Sequence, residues 1–120
     1  MKNAVVTLIF GILMIGAQAL YADNAQKTET FKVYGKCGSC KARIEGAAKS
    51  VDGVAKADWN MKTEMLAVTY NPSKTNEKSI SKAIAKVGHD TQFDKADDST
   101  YASLPGCCKY DRATYTDKKN

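Results

Sequence analysis

Twice along this chain the spacing of apolar residues changes from every second position to every third or fourth, and each change marks a strand giving way to a helix. In "TFKVYG", Phe31 and Val33 alternate with Lys32 and Tyr34, the period of a half-buried strand. From Cys40 onward, Ile44, Ala47, Ala48 and Val51 recur at i, i+3, i+4 and i+7, an apolar helical stripe. Lys41, Arg43, Glu45 and Lys49 lie mostly on the other side, and Gly53 ends the run. "VAKADWN" and "EMLAVTY" then form two strands joined around Met61 to Thr63 as an antiparallel hairpin, with Leu66, Val68 and Tyr70 on one face. "NPSKTNEKS" carries turn chemistry and a helix start, after which Ile80, Ala83, Ile84 and Val87 repeat the stripe as far as Gly88. "HDTQFD" can supply a short fourth strand.

The order strand, helix, strand, strand, helix, strand over residues 30–94 lets both helix stripes bury against one face of a four-stranded antiparallel sheet. The expected fold class is therefore α+β: a ferredoxin-like βαββαβ open-faced sandwich with an irregular C-terminal extension. Residues 95–120 show no sustained period and contain Cys107 and Cys108, and residues 23–29 form a polar, flexible lead-in.

Residues 1–22 have the character of a signal peptide. Lys2 precedes the uncharged run "AVVTLIFGILMIGA", and "AQALYA" offers small residues for cleavage after Ala19 or Ala22. The run is short for a membrane span, and no basic cluster follows it to stop transfer. Cleavage leaves 98 to 101 residues in the periplasm or secreted, with no stable membrane insertion; no cysteine follows the run to accept a lipid. A chain of that size holds one small core that buries about 60% of its unfolded surface. The net charge of +5 is spread over both signs rather than gathered in a basic stripe, which argues against a nucleic-acid partner.

The chemistry gathers in "VYGKCGSCKARIE". Cys37 and Cys40 stand at the turn from strand to helix, where unpaired backbone N–H groups and the positive end of the helix favour thiolate over thiol. Lys36 and Lys41 flank the pair and push the same way. Soft sulfur ligands select Cu(I), Hg(II) or Zn(II) over hard cations. Two thiolates alone suit Cu(I) or Hg(II), whereas closed zinc sites take four ligands. An open side also lets a partner's thiols attack the metal and remove it. A CxxC can equally close a disulfide or exchange electrons. A thioredoxin-like enzyme, however, needs more sheet before the pair and a proline-bearing strand facing it, and the two prolines here are Pro72 in a turn and Pro105 in the tail.

"FKVYGKCGSCKARIEGAAKSVDGV", "ADWNMKTEMLAVTYNPSKTN" and "ISKAIAKVGHDT" together resemble the heavy-metal-associated domain family, which includes copper chaperones, copper-ATPase N-terminal domains and the periplasmic mercuric-ion binding protein. The resemblance covers about 65 residues of the 120. It implies the βαββαβ fold and metal binding by Cys37 and Cys40. The family usually has Met-Thr before its first cysteine, with the methionine tucked beneath the loop; here Gly35 and Lys36 take those places. His89, the chain's single histidine, falls in a loop that the family fold brings near the thiols, as a possible third ligand or a proton-linked gate.

Cys107 and Cys108 lie outside the compact family domain. Neighbouring cysteines do not readily bond to each other, so they suit a metal or a bridge elsewhere. The tail can fold back to add a thiolate to the Cys37 and Cys40 site, can form a second site, or can make a disulfide with the domain. Trp59 packs in or beside the sheet, and Lys78, Lys82 and Lys86 form a solvated face. The expected activity is not enzymatic: capture and transfer of Cu(I), exchanged with a donor or acceptor protein such as a copper transporter. A Hg(II) scavenger and a thiol-disulfide oxidoreductase are the alternatives.

Overall fold

A computed structural model describes residues 25–112. The segment expected to be a signal peptide and residues 113–120 lie outside the described residues. Strand β1 spans Lys27–Lys32, helix α1 Gly38–Lys49, β2 Val54–Trp59, β3 Met65–Tyr70 and helix α2 Glu77–Lys86. A short helix α3 at Asp98–Ala102 and a 3-10 turn at Gly106–Cys108 follow. Among the described residues, the strands form one antiparallel sheet in the order β1-β3-β2. No helix among them is long and apolar enough to cross a membrane.

The alternating residues face inward as their spacing dictates. Phe31, Leu66, Val68 and Trp59 are fully buried from the sheet side, opposite Ile44 and Ala48 of α1 and Ile80 and Ile84 of α2. Phe31 pairs with Leu66 and Trp59 with Leu66 in register, so β3 carries the centre of the core. The Asn76 side chain caps α2 by accepting from the Ser79 N–H at 2.9 Å, with Glu77 in the first turn and Lys86 in the last. Lys78, Lys82 and Lys86 are exposed, as a solvated face requires.

Two features differ from the sequence reading. β1 begins at Lys27, within the expected lead-in, because it pairs along its whole length with β3. The fourth strand is reduced to one bridge, Val33 with Thr91, supported by Tyr34 N–H to the Asp90 carbonyl at 2.9 Å and Gln92 N–H to the Lys32 carbonyl at 3.0 Å. Ser81 and Thr91, both fully buried, are tied together with Asp94, which turns the chain away after that bridge. The tail, for which folding back on the domain is one of the expected courses, is packed as far as Arg112.

That tail is a strap laid over the end of α2. Leu104, Cys108 and Tyr110 are buried. The Tyr110 hydroxyl donates to the Gly88 carbonyl at 2.9 Å and accepts from the Asp90 N–H at 2.8 Å. Gly88 has φ +107, and a Cβ there would stand 2.9 Å from Leu104, so the position needs glycine both for its backbone and for the strap. The Tyr101 hydroxyl donates to the Tyr110 carbonyl, and the two rings meet edge to face. Arg112 closes the strap: its Nε and Nη2 each lie 3.0 Å from a carboxylate oxygen of fully buried Asp90, and Nη2 also donates to the Ala96 carbonyl. Removing one partner of such a buried pair leaves an uncompensated charge, which is strongly destabilising.

His89 is sealed beneath the strap, stacked on Tyr110 with ring centroids 5.6 Å apart. Its Nδ1 lies 2.8 Å from the Tyr34 carbonyl, which can only accept, so Nδ1 carries the proton and Nε2 the lone pair. Burial pushes the His89 pKa below its ordinary 6.5; the Tyr34 carbonyl opposes that shift and Arg43 adds to it.

Two stability experiments follow from this packing. Trp59→Ala removes a fully buried indole and should cost about 3–5 kcal/mol in urea unfolding. For His89 the unfolded chain binds the extra proton more readily than the folded one, so the imidazole's contribution is complete above pH 6.5 and declines as pH falls below it. The urea midpoint of the reduced, metal-free chain should drop below that pH, and His89→Gln should flatten this part of the profile; equal slopes for both proteins would contradict the assignment.

Candidate metal centre

The site begins where β1 runs out. Past Val33 the chain must leave the sheet and enter α1, and the space available is set by Trp59, whose Nε1 donates to the Val33 carbonyl at 2.9 Å. A Cβ on Gly35 would lie 3.0 Å from the indole and 3.2 Å from the Cys40 Cβ, so a side chain there would force the ring or the helix to shift. Glu64, at the β2–β3 turn, accepts from the Gly35 N–H at 3.3 Å. The loop is thus held from below by an aromatic ring and from the side by a carboxylate.

Cys37 is the N-cap of α1, with extended backbone angles, and its carbonyl accepts from the Lys41 N–H at 3.0 Å. Cys40 lies one turn further on and begins the inward stripe that continues through Ile44, Ala47 and Ala48. Cys40 is therefore fully buried, while Cys37 is partly exposed at the helix tip. The 3-10 turn of the strap brings Cys108 onto the same spot. Its Sγ lies 3.7 Å from that of Cys37, which is 3.5 Å from that of Cys40, and the three sulfurs all lie within 4.8 Å of one another. Ligands at about 2.3 Å from a common ion stand roughly 3.8–4.0 Å apart, so this spacing fits coordination with small side-chain adjustments.

Ser39 sits among the sulfurs, its hydroxyl 3.0 Å from Cys37, 3.2 Å from Cys107 and 3.3 Å from Cys108. That hydroxyl, followed by the Cys40 backbone N–H, lowers the Cys37 pKa to about 6, which makes Cys37 a thiolate at neutral pH. Burial, followed by the neighbouring Cys108, pushes Cys40 up to about 12. One member of the pair is charged and the other neutral before any metal arrives.

The expectation that Lys41 supports the thiolates is corrected by where it points. Its ammonium is bound to Glu45 at 2.6 Å, Asp58 at 2.8 Å and the Trp59 carbonyl at 2.7 Å, fastening α1 to β2. Lys36 is exposed. The cation facing sulfur is Arg43, whose Nη1 donates to Cys108 at 3.4 Å. By helical spacing Arg43 belongs to the polar side of α1; its position one turn after Cys40 is the sequence signal, and it acquires meaning only because the strap crosses that side. Ser39 lies within the CxxC itself and carries no signal by residue type alone.

The other named residues fall differently. Cys107 is exposed and reaches Ser39, and it is not among the three clustered sulfurs. His89 is also outside that cluster; its Nδ1 is occupied by Tyr34, and its Nε2 is buried without a hydrogen-bond partner among the described residues. Its structural part is to hold the Tyr34 end of the thiol loop against the strap.

Residues 30–90, half of the chain, match the family described as the heavy-metal-associated domain. A copper-exporting P-type ATPase of Staphylococcus saprophyticus is 41% identical over 56 residues, covering 47% of this chain and 7% of that protein. A zinc-transporting ATPase of Synechocystis is 41% identical over 64 residues, covering 52% and 9%. The chain thus spans less than a tenth of the length of these transporters. Among solved structures, the CopZ metallochaperone has a TM-score of 0.53 at 35% identity, covering 54% of this chain and 98% of that one. Oxidized MerP from Ralstonia metallidurans has a TM-score of 0.53 at 32% identity, covering 56% and 94%. With the ferredoxin-like fold, the CxxC at the tip of α1 and this match across its core, the chain belongs to the heavy-metal-associated domain family.

Proposed function

We propose that the chain is an exported carrier that takes up Cu(I) through Cys37 and Cys40 and hands it on by thiolate exchange to a protein partner such as a copper transporter. The observation that carries this reading is the sulfur pair 3.5 Å apart at the tip of α1, one partly exposed and one buried. The Cys37 thiolate makes first contact with the ion, and Cys40 follows, giving up its proton to solvent as its sulfur binds. The exposed side of Cys37 leaves room for a partner's sulfur to approach, which suits delivery rather than storage. Export to the periplasm or beyond is supported by the apolar run after Lys2. Two thiolates with an open side suit the low coordination number of Cu(I), while likeness to MerP keeps Hg(II) as the runner-up and Zn(II) as a competitor.

A second reading, thiol-disulfide exchange, is favoured by the opposed protonation of Cys37 and Cys40, since a reactive thiolate beside a protonated thiol also serves redox chemistry. The two readings separate cleanly. Anaerobic competition titration of the reduced chain should give tighter binding of Cu(I) than of Zn(II). Cys37→Ser or Cys40→Ser should each weaken Cu(I) binding by at least about a hundredfold, the upper end of what even an outer partner of a ligand costs. Insulin reduction by the chain, with no metal retained, would replace the carrier reading with the redox one.

The asymmetry of the pair has its own readout. Alkylation of the reduced apo-chain by iodoacetamide should modify Cys37 with a half-maximal rate near pH 6 while Cys40 stays protected through the neutral range. A midpoint for Cys37 near the ordinary 9.0 would show that Ser39 does not stabilise its thiolate.

A further inference from the structure

We propose that Cys108 is a third thiolate ligand, so that the C-terminal strap completes a three-sulfur site and an incoming partner thiol must take the place of Cys108 for the metal to leave. This rests on the carrier reading of Cys37 and Cys40 and extends it to a segment beyond the matched residues 30–90.

Position is the first argument. Cys107 and Cys108 are adjacent on a 3-10 turn, yet one is exposed and the other fully buried against the pair. The sulfur of Cys108 stands 3.7 Å from Cys37, within the spacing of ligands on one ion. The strap that delivers it is anchored elsewhere, by Tyr110 on Gly88 and Asp90 and by Arg112 on Asp90. Cys108 is therefore placed before the metal binds, and little ordering remains to oppose coordination.

Charge is the second argument. Two thiolates and Cu(I) sum to −1. A third thiolate would raise this to −2, and Arg43 at 3.4 Å from the Cys108 sulfur returns it to −1. The extra ligand and the extra cation thus meet at one point. A buried cysteine that only filled space would have no use for a guanidinium donor aimed at its sulfur, because a neutral thiol is a weak acceptor. Lys41, the nearer cation in sequence, is occupied by Glu45 and Asp58 and leaves that task to Arg43.

The exchange balances without redox change. When the ion enters, three sulfur–metal bonds form and the displaced thiol protons go to solvent. During delivery a partner thiolate forms a bond to the metal and the bond to Cys108 breaks. Cys108 keeps its electron pair as a thiolate beside Arg43, and the metal keeps its oxidation state. The strap thus acts as a resident competitor for the position a partner needs, holding the ion until the partner's thiol arrives.

The test is X-ray absorption at the copper edge on the reduced full chain loaded anaerobically with one equivalent of Cu(I). Three sulfur neighbours are expected, falling to two with a shorter mean Cu–S distance in Cys108→Ser and staying at three in Cys107→Ser. Cys108→Ser should also weaken Cu(I) binding in competition with a chromogenic chelator by about tenfold or more and speed transfer to a dithiol acceptor. Two sulfurs in the unaltered chain, a count that does not depend on how any variant folds, would overturn the third ligand while leaving the Cys37 and Cys40 reading intact. Three sulfurs retained in Cys108→Ser would overturn it as well. No copper held by the unaltered chain would instead remove the carrier reading beneath it.

Discussion

The thiol loop rests on the indole of Trp59. This last residue of β2 touches three parts of the fold at once. Its ring lies under Gly35 and beside Cys40, its Nε1 holds the Val33 carbonyl, and its backbone N–H donates to Glu45 of α1 at 2.8 Å. The Lys41 ammonium then binds both Glu45 and the Trp59 carbonyl. Sheet, loop and helix tip are fixed relative to one another by a single buried side chain and its own peptide groups. Glycine at 35, with no side chain of its own, leaves the space beneath the loop to tryptophan.

From that support follows the difference between the two thiols. A rigid turn places Cys37 as the cap of α1 and Cys40 at the head of its buried stripe, so the first sulfur sees solvent and Ser39 while the second sees the core. Hydrogen bonding to sulfur and burial then act in opposite directions on two otherwise equal groups. Ser39 is within reach of three sulfurs, including both cysteines of the strap, and so couples the helix tip to the C-terminal segment.

Much of the fold was legible because it is periodic. The alternation of Leu66, Val68 and Tyr70, the stripes begun by Cys40 and Ile80, and the helix start within "NPSKTNEKS" all appear where spacing and turn chemistry put them. What could not be read has no period. The fourth strand shrinks to a bridge at Thr91, because the Thr91 N–H turns to the Asp94 carbonyl at 2.8 Å and the Asp94 N–H to the Thr91 hydroxyl instead of continuing the ladder. The strap places Leu104, Cys108 and Tyr110 in the core at irregular intervals, and an irregular segment that packs looks in sequence like one that does not. The site shows the same division. Cys37 and Cys40 are a local motif, but Arg43 faces sulfur only because a segment 65 residues away crosses it, and Lys41 turns aside because β2 offers better partners.

Cys37 and Cys108 are 71 residues apart in the chain and 3.7 Å apart in space. An ion bound to both would be a cross-link as well as a cargo. In the unfolded chain it would close a loop of that length, and such a constraint removes conformational freedom worth about 4 kcal/mol. Occupancy and folding would then be linked: unfolding would have to break the cross-link or stretch it, and each departure of the ion would return to the strap some freedom to open. A filled site would thus be a form of protection that is surrendered on delivery.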